Sequence, residues 1–597
     1  MSQSNHQEED VLGKAYDSRL MARLLSYLKP YKHIVILAVV ILFLASVMQL
    51  AGPFLTKIGI DNYIAKNDWA GLVRICQIFA VILAAEFLMI FLQTYLIYFI
   101  GQKAMFDMRS QVFRKMQTLS VAYFDRNPVG RLVTRVTTDV ESLHQMLSSG
   151  VVAIFGDIFK LAGIVVVLLI FNWKLALITF SVLPFLFYVT FLFKKKVREI
   201  YRVIRVRIAR INAFLQENIT GMPVVQLFNR EKKNFNKFEK LNHDYLDAYL
   251  TTIFYYALFY PAVNLISSVA IAMIVWYGGG RILAGTLTFG SLVLFIQYAE
   301  MFFRPIMDLS EKYNIMQSAM ASSERIFTIL DEPPEVSENA AFQSKPEIGG
   351  EIEFRHVWFA YKHDDYVLRD ISFHIRPGEK IAFVGATGAG KSSIMNLILR
   401  YYPVNKGGIY LDGVNIMTIH PNELRKHFSM VLQDVFLFDG TIADNIRLAN
   451  ASITDEDVIR AAKDVHADNF IQKLPLKYRH PVQERGKSLS VGQRQLLVFA
   501  RALAFDPAVL ILDEATSSVD TETELLIQDA VERLMKNRTS LIVAHRLSTI
   551  QNCDRIIVLH KGEIREIGNH QELLAKEGIY YKLYQLQYAY QAKQRVA

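Results

Sequence analysis

Apolar residues fall into long unbroken runs in the first half of the chain and into short ones in the second half. Six of the early runs approach or exceed the roughly 20 residues a helix needs to cross a bilayer. They lie at about 33–56, 74–100, 151–171, 175–193, 251–278 and 287–306. In Ile34–Leu50 only Ser46 and Gln49 are polar. The third and fourth runs are divided by a short turn, Asn172-Trp173-Lys174, whose tryptophan suits a membrane interface. An even number of crossings predicts both termini on one side of the membrane.

The connections after the second and fourth runs hold about 50 and 57 residues, far more than ordinary loops. In the second of them Ile204, Ile208, Ile211, Leu215 and Ile219 recur at steps of three or four, a helical spacing. The membrane helices are therefore expected to continue beyond the bilayer before turning back; a separate soluble helical insertion is the alternative. From about Gly349 the pattern changes. Short β-rich runs (Ile352–Val357, Lys380–Val384, Val509–Leu512, Ser540–Val543, Arg555–Leu559) alternate with helix-like stretches, predicting a soluble α/β domain of about 240 residues. Asp331-Glu332-Pro333-Pro334 breaks any helix and suits a boundary. The expected division is an N-terminal segment 1–32, a membrane domain 33–330, a linker 331–348 and a second domain 349–597.

Composition agrees with that division. At roughly 150 residues per domain, 597 residues allow two to four domains. With 52% apolar and 21% charged residues, disorder, collagen-like repeats and a small secreted scaffold are excluded. A mean hydropathy of +0.21 requires part of the chain to prefer lipid. Cys76 and Cys553 lie far apart and form neither a disulfide framework nor a zinc site, which points to a reducing compartment. Met1–Asp17 is polar and of mixed charge, so no cleavable signal peptide is expected and the start is expected to be cytosolic. The net charge of +9 is explained by position. Basic residues crowd the two long connections (Lys103, Arg109, Arg114, then Lys194, Lys195, Lys196 and beyond), whereas the loops opposite hold only Lys57 and Lys66, Lys174, and Arg281. By the positive-inside rule the long connections are cytoplasmic, and a nucleic-acid partner is not expected.

Two motifs carry chemistry. Gly385-Ala386-Thr387-Gly388-Ala389-Gly390-Lys391-Ser392 matches the P-loop pattern, between the apolar run Ile381–Val384 and the helix-like Ser393–Leu399. Its glycines let backbone N–H groups wrap phosphates closely, Lys391 suits the β/γ oxygens, and the Ser392 hydroxyl suits Mg²⁺. Val509-Leu510-Ile511-Leu512-Asp513-Glu514 reads as a buried central strand ending in two acids, where open α/β sheets bind ligands. Asp513 is suited to hold Mg²⁺, directly or through water, and Glu514 to orient or deprotonate an attacking water.

With Leu489-Ser490-Val491-Gly492-Gln493 just before that strand, nearly the whole chain resembles a bacterial half-transporter of the ATP-binding-cassette (ABC) exporter type. The implied fold is multidomain, an all-α six-helix transmembrane domain followed by an α/β P-loop nucleotide-binding domain. The resemblance implies that Tyr361 stacks on adenine. It also implies that Gln433 is the Q-loop glutamine that touches Mg²⁺, that Ser517-Ser518-Val519-Asp520 is the D-loop, and that His545 is the switch histidine at the γ-phosphate. Ser393, next to the P-loop, joins the implied ATP contacts. Taken alone, Leu-Ser-x-Gly-Gln would serve equally as a plain helix N-cap. In the family, Ser490, Gly492 and Gln493 of one chain close over the P-loop of another, so a dimer with two composite ATP sites is implied. Val491 and Gln483 depart from the commonest residues and resemble one member of heterodimeric exporters, pointing to a non-identical second half-transporter.

Phe124-Asp125-Arg126-Asn127-Pro128-Val129-Gly130-Arg131-Leu132 and Glu217-Asn218-Ile219-Thr220-Gly221 resemble the family's two coupling segments. Intramembrane Glu86, Asp157 and Lys160 are candidate pathway residues, although Asp157 and Lys160, three apart, suit a local pair. Aromatic residues in the last two runs suit either an amphipathic cargo or lipid-facing packing. The expected activity is ATP-driven export of hydrophobic or amphipathic small molecules, such as drugs or lipids, from the bacterial cytoplasmic membrane. An importer on the same scaffold, or an ATP-gated regulatory membrane protein, are the alternatives.

Overall fold

The computed structural model describes residues 17–336, 342, 348–483, 486–513, 521–543 and 547–586. It divides into two compact units: residues 1–117 with 129–332, and residues 118–128 with 333–597.

The first unit is helical. Its elements are α1 (Ser18–Ser26), α2 (Lys32–Ile58) and α3 (Trp69–Met116). After α4 (Val121–Arg126), which lies in the other unit, come α5 (Val129–Thr134), α6 (Val140–Gln145), α7 (Val152–Phe180) and α8 (Leu183–Thr220). α9 (Met222–Leu227), α10 (Glu231–Leu283) and α11 (Phe289–Asp331) complete it. Short π-helical turns join α5, α6 and the part of α7 before Asn172 without interruption. The expected continuation of the membrane helices is observed. α3 and α10 have 48 and 53 residues, about 70–80 Å at 1.5 Å per residue, more than twice a bilayer core.

Among the described residues, four helical stretches are long and apolar enough to cross a membrane: Lys29–Ile64, Trp69–Met116, Val129–Phe180 and Glu231–Leu283. Phe289–Phe303 is a shorter apolar helix. The expected fourth run is divided. Asn172 leaves the helical region (φ −161°, ψ 99°) and its side chain accepts from the Leu175 N–H at 3.1 Å, so the turn read from Asn172-Trp173-Lys174 is a capped break. A second interruption at Ser181-Val182 precedes Pro184, which has no N–H to continue a helix. Large apolar side chains such as Ile36, Phe43, Phe87 and Trp276 remain exposed on the rods, as lipid-facing residues must.

Polar links tie these helices together. Asp139 accepts from Arg135 (2.8 Å) and Ser322 (2.8 Å) and is paired with Arg325, joining the segment before α6 to α11. Asp61 accepts from the Thr288 hydroxyl (2.7 Å) and the Gly290 N–H (2.8 Å) at the start of α11. A Cβ on Gly290 would lie 2.6 Å from the Lys57 carbonyl, so only glycine permits that approach. Asp157 bonds to Lys312 of α11, a partner 155 residues away. Of the aromatic residues in the last two runs, Phe259, Phe295, Tyr298, Phe302 and Phe303 are buried in helix packing, while Phe254 and Tyr260 are exposed.

Among the described residues the second unit has three sheets. Its strands are β1 (Ile352–Ala360), β2 (Tyr366–Ile375), β3 (Lys380–Val384), β4 (Lys406–Leu411), β5 (Val414–Asn415) and β6 (Phe428–Val431). Then follow β7 (Gly440–Thr441), β8 (Pro481–Val482), β9 (Val509–Asp513), β10 (Thr539–Val543), β11 (Arg555–His560) and β12 (Glu563–Gly568). The helices are α12 (Lys391–Ile398), α13 (Pro421–Lys426), α14 (Ile442–Arg447), α15 (Asp455–Asp464) and α16 (Asp468–Ile471), with α17 (Val491–Ala504), α18 (Thr521–Leu534), α19 (Leu547–Gln551) and α20 (His570–Ala575). All five runs expected as strands are strands.

The central sheet has the order β12-β11-β3-β10-β9-β6, parallel except for the edge strand β12. Alternate side chains of these strands enter two different cores. Ala382, Leu510, Leu512 and Ile542 face the core containing α17 and α18. Ile381, Phe383, Ile511 and Leu541 face the one beneath the β2-β1-β4-β5 sheet. Burial on both faces is why these strands are apolar at nearly every position.

Candidate nucleotide-binding site

β3 leads into the P-loop and α12 leaves it. A Cβ on Gly385 would lie 2.3 Å from the Leu559 carbonyl oxygen, so the loop passes β11 at a distance that excludes any side chain. Gly390 stands at φ +104°, a left-handed conformation that opens α12 at Lys391. The helix begins two residues before the expected Ser393, so its first N–H groups belong to the P-loop itself. Ala386, Thr387, Gly388 and Ser392 are exposed around it, while Ala389 and Ser393 are buried.

Lys391 is buried, and its ammonium donates to the carbonyls of Gly385 (2.7 Å) and Ala386 (3.1 Å). Burial pushes its pKa down, and the Asp513 carboxylate opposes that shift. Asp513 ends β9, in register with Val543 of β10, whose other neighbour is β3. The parallel order thus brings the P-loop and this acid to the same C-terminal edge of the sheet. Tyr361 follows β1; its hydroxyl lies 3.0 Å from the Ser393 Oγ and accepts from Asn396 at 3.4 Å. Gln433 is exposed, two residues past the end of β6.

Ser490 is the N-cap of α17 in a reciprocal capping box: its Oγ accepts from the Gln493 N–H (3.2 Å), and the Gln493 amide oxygen accepts from the Ser490 N–H (3.0 Å). Gly492 is buried beneath. The plain capping reading is thus realised here, and it leaves the first N–H groups of a 14-residue helix at the same end. Glu514, His545 and the D-loop run Ser517–Asp520 lie outside the described residues.

The structure adds a residue that motif reading missed. Tyr402 packs edge-on against Tyr361 and bonds to Asp125 of the first connection. No sequence periodicity links positions 277 residues apart.

Comparison with known proteins follows the same division. Residues 35–306 match the model of the ABC transporter transmembrane region, and residues 368–517 match that of the ABC transporter. An uncharacterized ABC transporter ATP-binding protein of Bacillus subtilis is 38% identical over 98% of this chain and 97% of its own length. The chain belongs to the ABC transporter family. A fatty acid ABC transporter ATP-binding/permease protein of Mycobacterium bovis is 39% identical over 86% of this chain and 82% of its own. An ATP-dependent lipid A-core flippase of Syntrophus aciditrophicus is 36% identical over 95% and 94%. With one membrane region and one ATP-binding region, this ABC transporter chain is an exporter-type half-transporter: a multi-pass membrane protein that binds and hydrolyses ATP to drive transport and works as a dimer.

Proposed function

We infer that this chain exports hydrophobic or amphipathic small molecules, by alternating access, as one half of an ABC exporter in the bacterial cytoplasmic membrane. The observation that carries the reading is the joining of a P-loop and the Asp513 acid at one sheet edge to a helical domain of membrane-spanning length. The fatty acid and lipid A-core relatives support an amphipathic cargo. The dense basic charge of the long connections supports a cytoplasmic position for both termini and for the nucleotide-binding domain. The proposed domains are a membrane domain over 33–330 and a nucleotide-binding domain over 349–597, with a linker at 331–348.

In this scheme the N–H groups of Gly385 to Ser393 cradle the phosphates, and Lys391 turns from its carbonyl partners to the β/γ oxygens, which are stronger acceptors. Tyr361 stacks on adenine. Asp513, Ser392 and Gln433 offer a carboxylate, a hydroxyl and an amide oxygen, an all-oxygen set suited to Mg²⁺. When bound, that ion supplies positive charge to the phosphate oxygens. Glu514 orients or deprotonates the attacking water, and His545 contacts the γ-phosphate. Ser490, Gly492 and Gln493 serve the partner's P-loop, with the helix-start N–H groups of α17 as anion donors. Val491 and Gln483 favour a non-identical partner. ATP must bind the closed dimer far better than the open one, because a ligand shifts an equilibrium only by its differential affinity.

Glu514→Gln tests the assignment in the purified assembly with the partner's own site silenced. Steady-state hydrolysis should fall by at least two orders of magnitude while ATP binding persists. Normal turnover would sink the proposed role of Glu514. Uptake by inside-out but not right-side-out vesicles would establish export over import.

A further inference from the structure

We propose that Tyr402 is a positioning residue that carries nucleotide occupancy from Tyr361 to the first long connection, through its ring on one side and its hydroxyl on the other. This rests on the reading of Tyr361 as the adenine-stacking residue.

Residues 118–128 belong to the same compact unit as the P-loop, although in sequence they interrupt the helical one. Tyr402 is buried. Its ring meets that of Tyr361 edge-on, with centroids 5.0 Å apart and planes at 89°, and that of Phe359 at 5.7 Å. Its hydroxyl donates to the Asp125 carboxylate on α4. A hydrogen bond to an ionised acceptor is stronger and more directional than a neutral one. Burial and this bond both raise the Tyr402 pKa, so the phenol remains a donor throughout the physiological range.

Both ends of this relay are fixed. The Tyr361 hydroxyl is shared with Ser393 and Asn396 on α12, so a shift of this ring is also felt beside the phosphate loop. The connection is held a second time, where the Glu335 N–H donates to the Thr118 carbonyl at 2.8 Å. The Glu335 carboxylate is gripped by Arg425, whose guanidinium also donates to the carbonyls of Leu399 and Arg400 at 3.1 Å. The stretch 399–402 thus anchors the connection at two points. Within that stretch Tyr402 is the side chain in ring contact with Tyr361, and Phe359 of β1 packs against both rings. Adenine on Tyr361 restricts that ring, the ring restricts Tyr402, and the hydroxyl transmits the restriction to α4. The coupling is reciprocal, as any such linkage must be.

Hydrogen–deuterium exchange of the full-length assembly in lipid nanodiscs tests this. The probes are a magnesium-bound non-hydrolysable ATP analogue and magnesium tripolyphosphate, which has the phosphates without the base. The ATP analogue should change exchange at residues 121–126, and tripolyphosphate should not. Tyr402→Phe keeps the ring and Asp125→Ala keeps the backbone; both should lose the response in protein that still folds and still binds the analogue, with affinity shifted by no more than the lost coupling. Asp125→Asn, whose amide oxygen still accepts, should retain it. A full response in Tyr402→Phe, or an equal response to tripolyphosphate, overturns the relay. Tyr361→Ala separates the two readings. If it leaves analogue affinity unchanged, the adenine assignment fails and takes the relay with it. If it weakens affinity while Tyr402→Phe still responds, the relay alone fails.

Discussion

At the scale of single residues, buried charge decides which positions tolerate change. The Asp139 carboxylate is nearly inaccessible and faces two guanidiniums, Arg135 and Arg325, with the Ser322 hydroxyl. Asp139→Ala leaves Arg135 and the partly exposed Arg325 without their shared acceptor, so it should lower stability by about 1–3 kcal/mol, read from the unfolding midpoint of the purified protein. The opposite case is the exposed Asp444, whose bonds to the Thr441 hydroxyl (2.6 Å) and N–H (3.0 Å) hold its pKa below the ordinary 3.8. A lowered carboxylate pKa adds stability above the unfolded value and loses it as pH falls through the folded one. The unfolding midpoint of wild type should therefore fall more steeply below pH 3.8 than that of Asp444→Asn, and identical acid profiles would refute this contribution. Arg135 stands four residues before Asp139, a spacing at which one helix face can pair them. No such spacing marks Arg325 and Ser322, because only the folded chain brings α11 to them.

Elements are bounded where side chains satisfy the backbone. Ser490 caps α17 whatever its role toward nucleotide, so Ser490→Ala should cost about 1 kcal/mol of domain stability. Ser490→Asn should restore the midpoint because its amide oxygen also caps. If ATP turnover falls in both variants while only the alanine form is destabilised, the hydroxyl has a function beyond capping. Asn172 makes the same point in the membrane unit, where one side-chain oxygen converts an apolar stretch into two helical pieces. Both boundaries were legible because capping is local chemistry. The break at Ser181-Val182 was not anticipated, although Pro184 was its signal. Element length was also legible: apolar residues at helical spacing in the second connection implied helix, and α8 runs unbroken through them from Leu183 to Thr220.

At the scale of the whole molecule, the helical unit presents an apolar tip among the described residues. At the turn joining α8 to α10, Ile219, Leu227 and Phe228 are 68%, 75% and 66% exposed. Arg202, Arg205, Arg207 and Arg210 stand earlier on α8, a stretch too basic to favour a lipid interior. A dimer can cover the tip. Phe228→Asp combined with Leu227→Asp should reduce the dimeric fraction or uncouple ATP turnover from transport in proteoliposomes, without lowering the unfolding midpoint. Unchanged assembly and transport would show that this tip needs no cover.

The sequence alone determined whatever repeats locally: the apolar runs, the glycine-rich phosphate loop, the capping residues and the two-sided strands, each a consequence of backbone geometry and solvent within a few residues. It likewise placed the family, since the P-loop and signature run have fixed spacing. Tertiary structure decided the long-range pairings, Asp61 with Gly290, Asp157 with Lys312, and Tyr402 with Asp125. It also decided that several aromatic residues of the last two helices fill helix packing. Those outcomes depend on which surfaces meet after the chain has folded back on itself, and neither charge nor hydrophobicity at a single position names its partner.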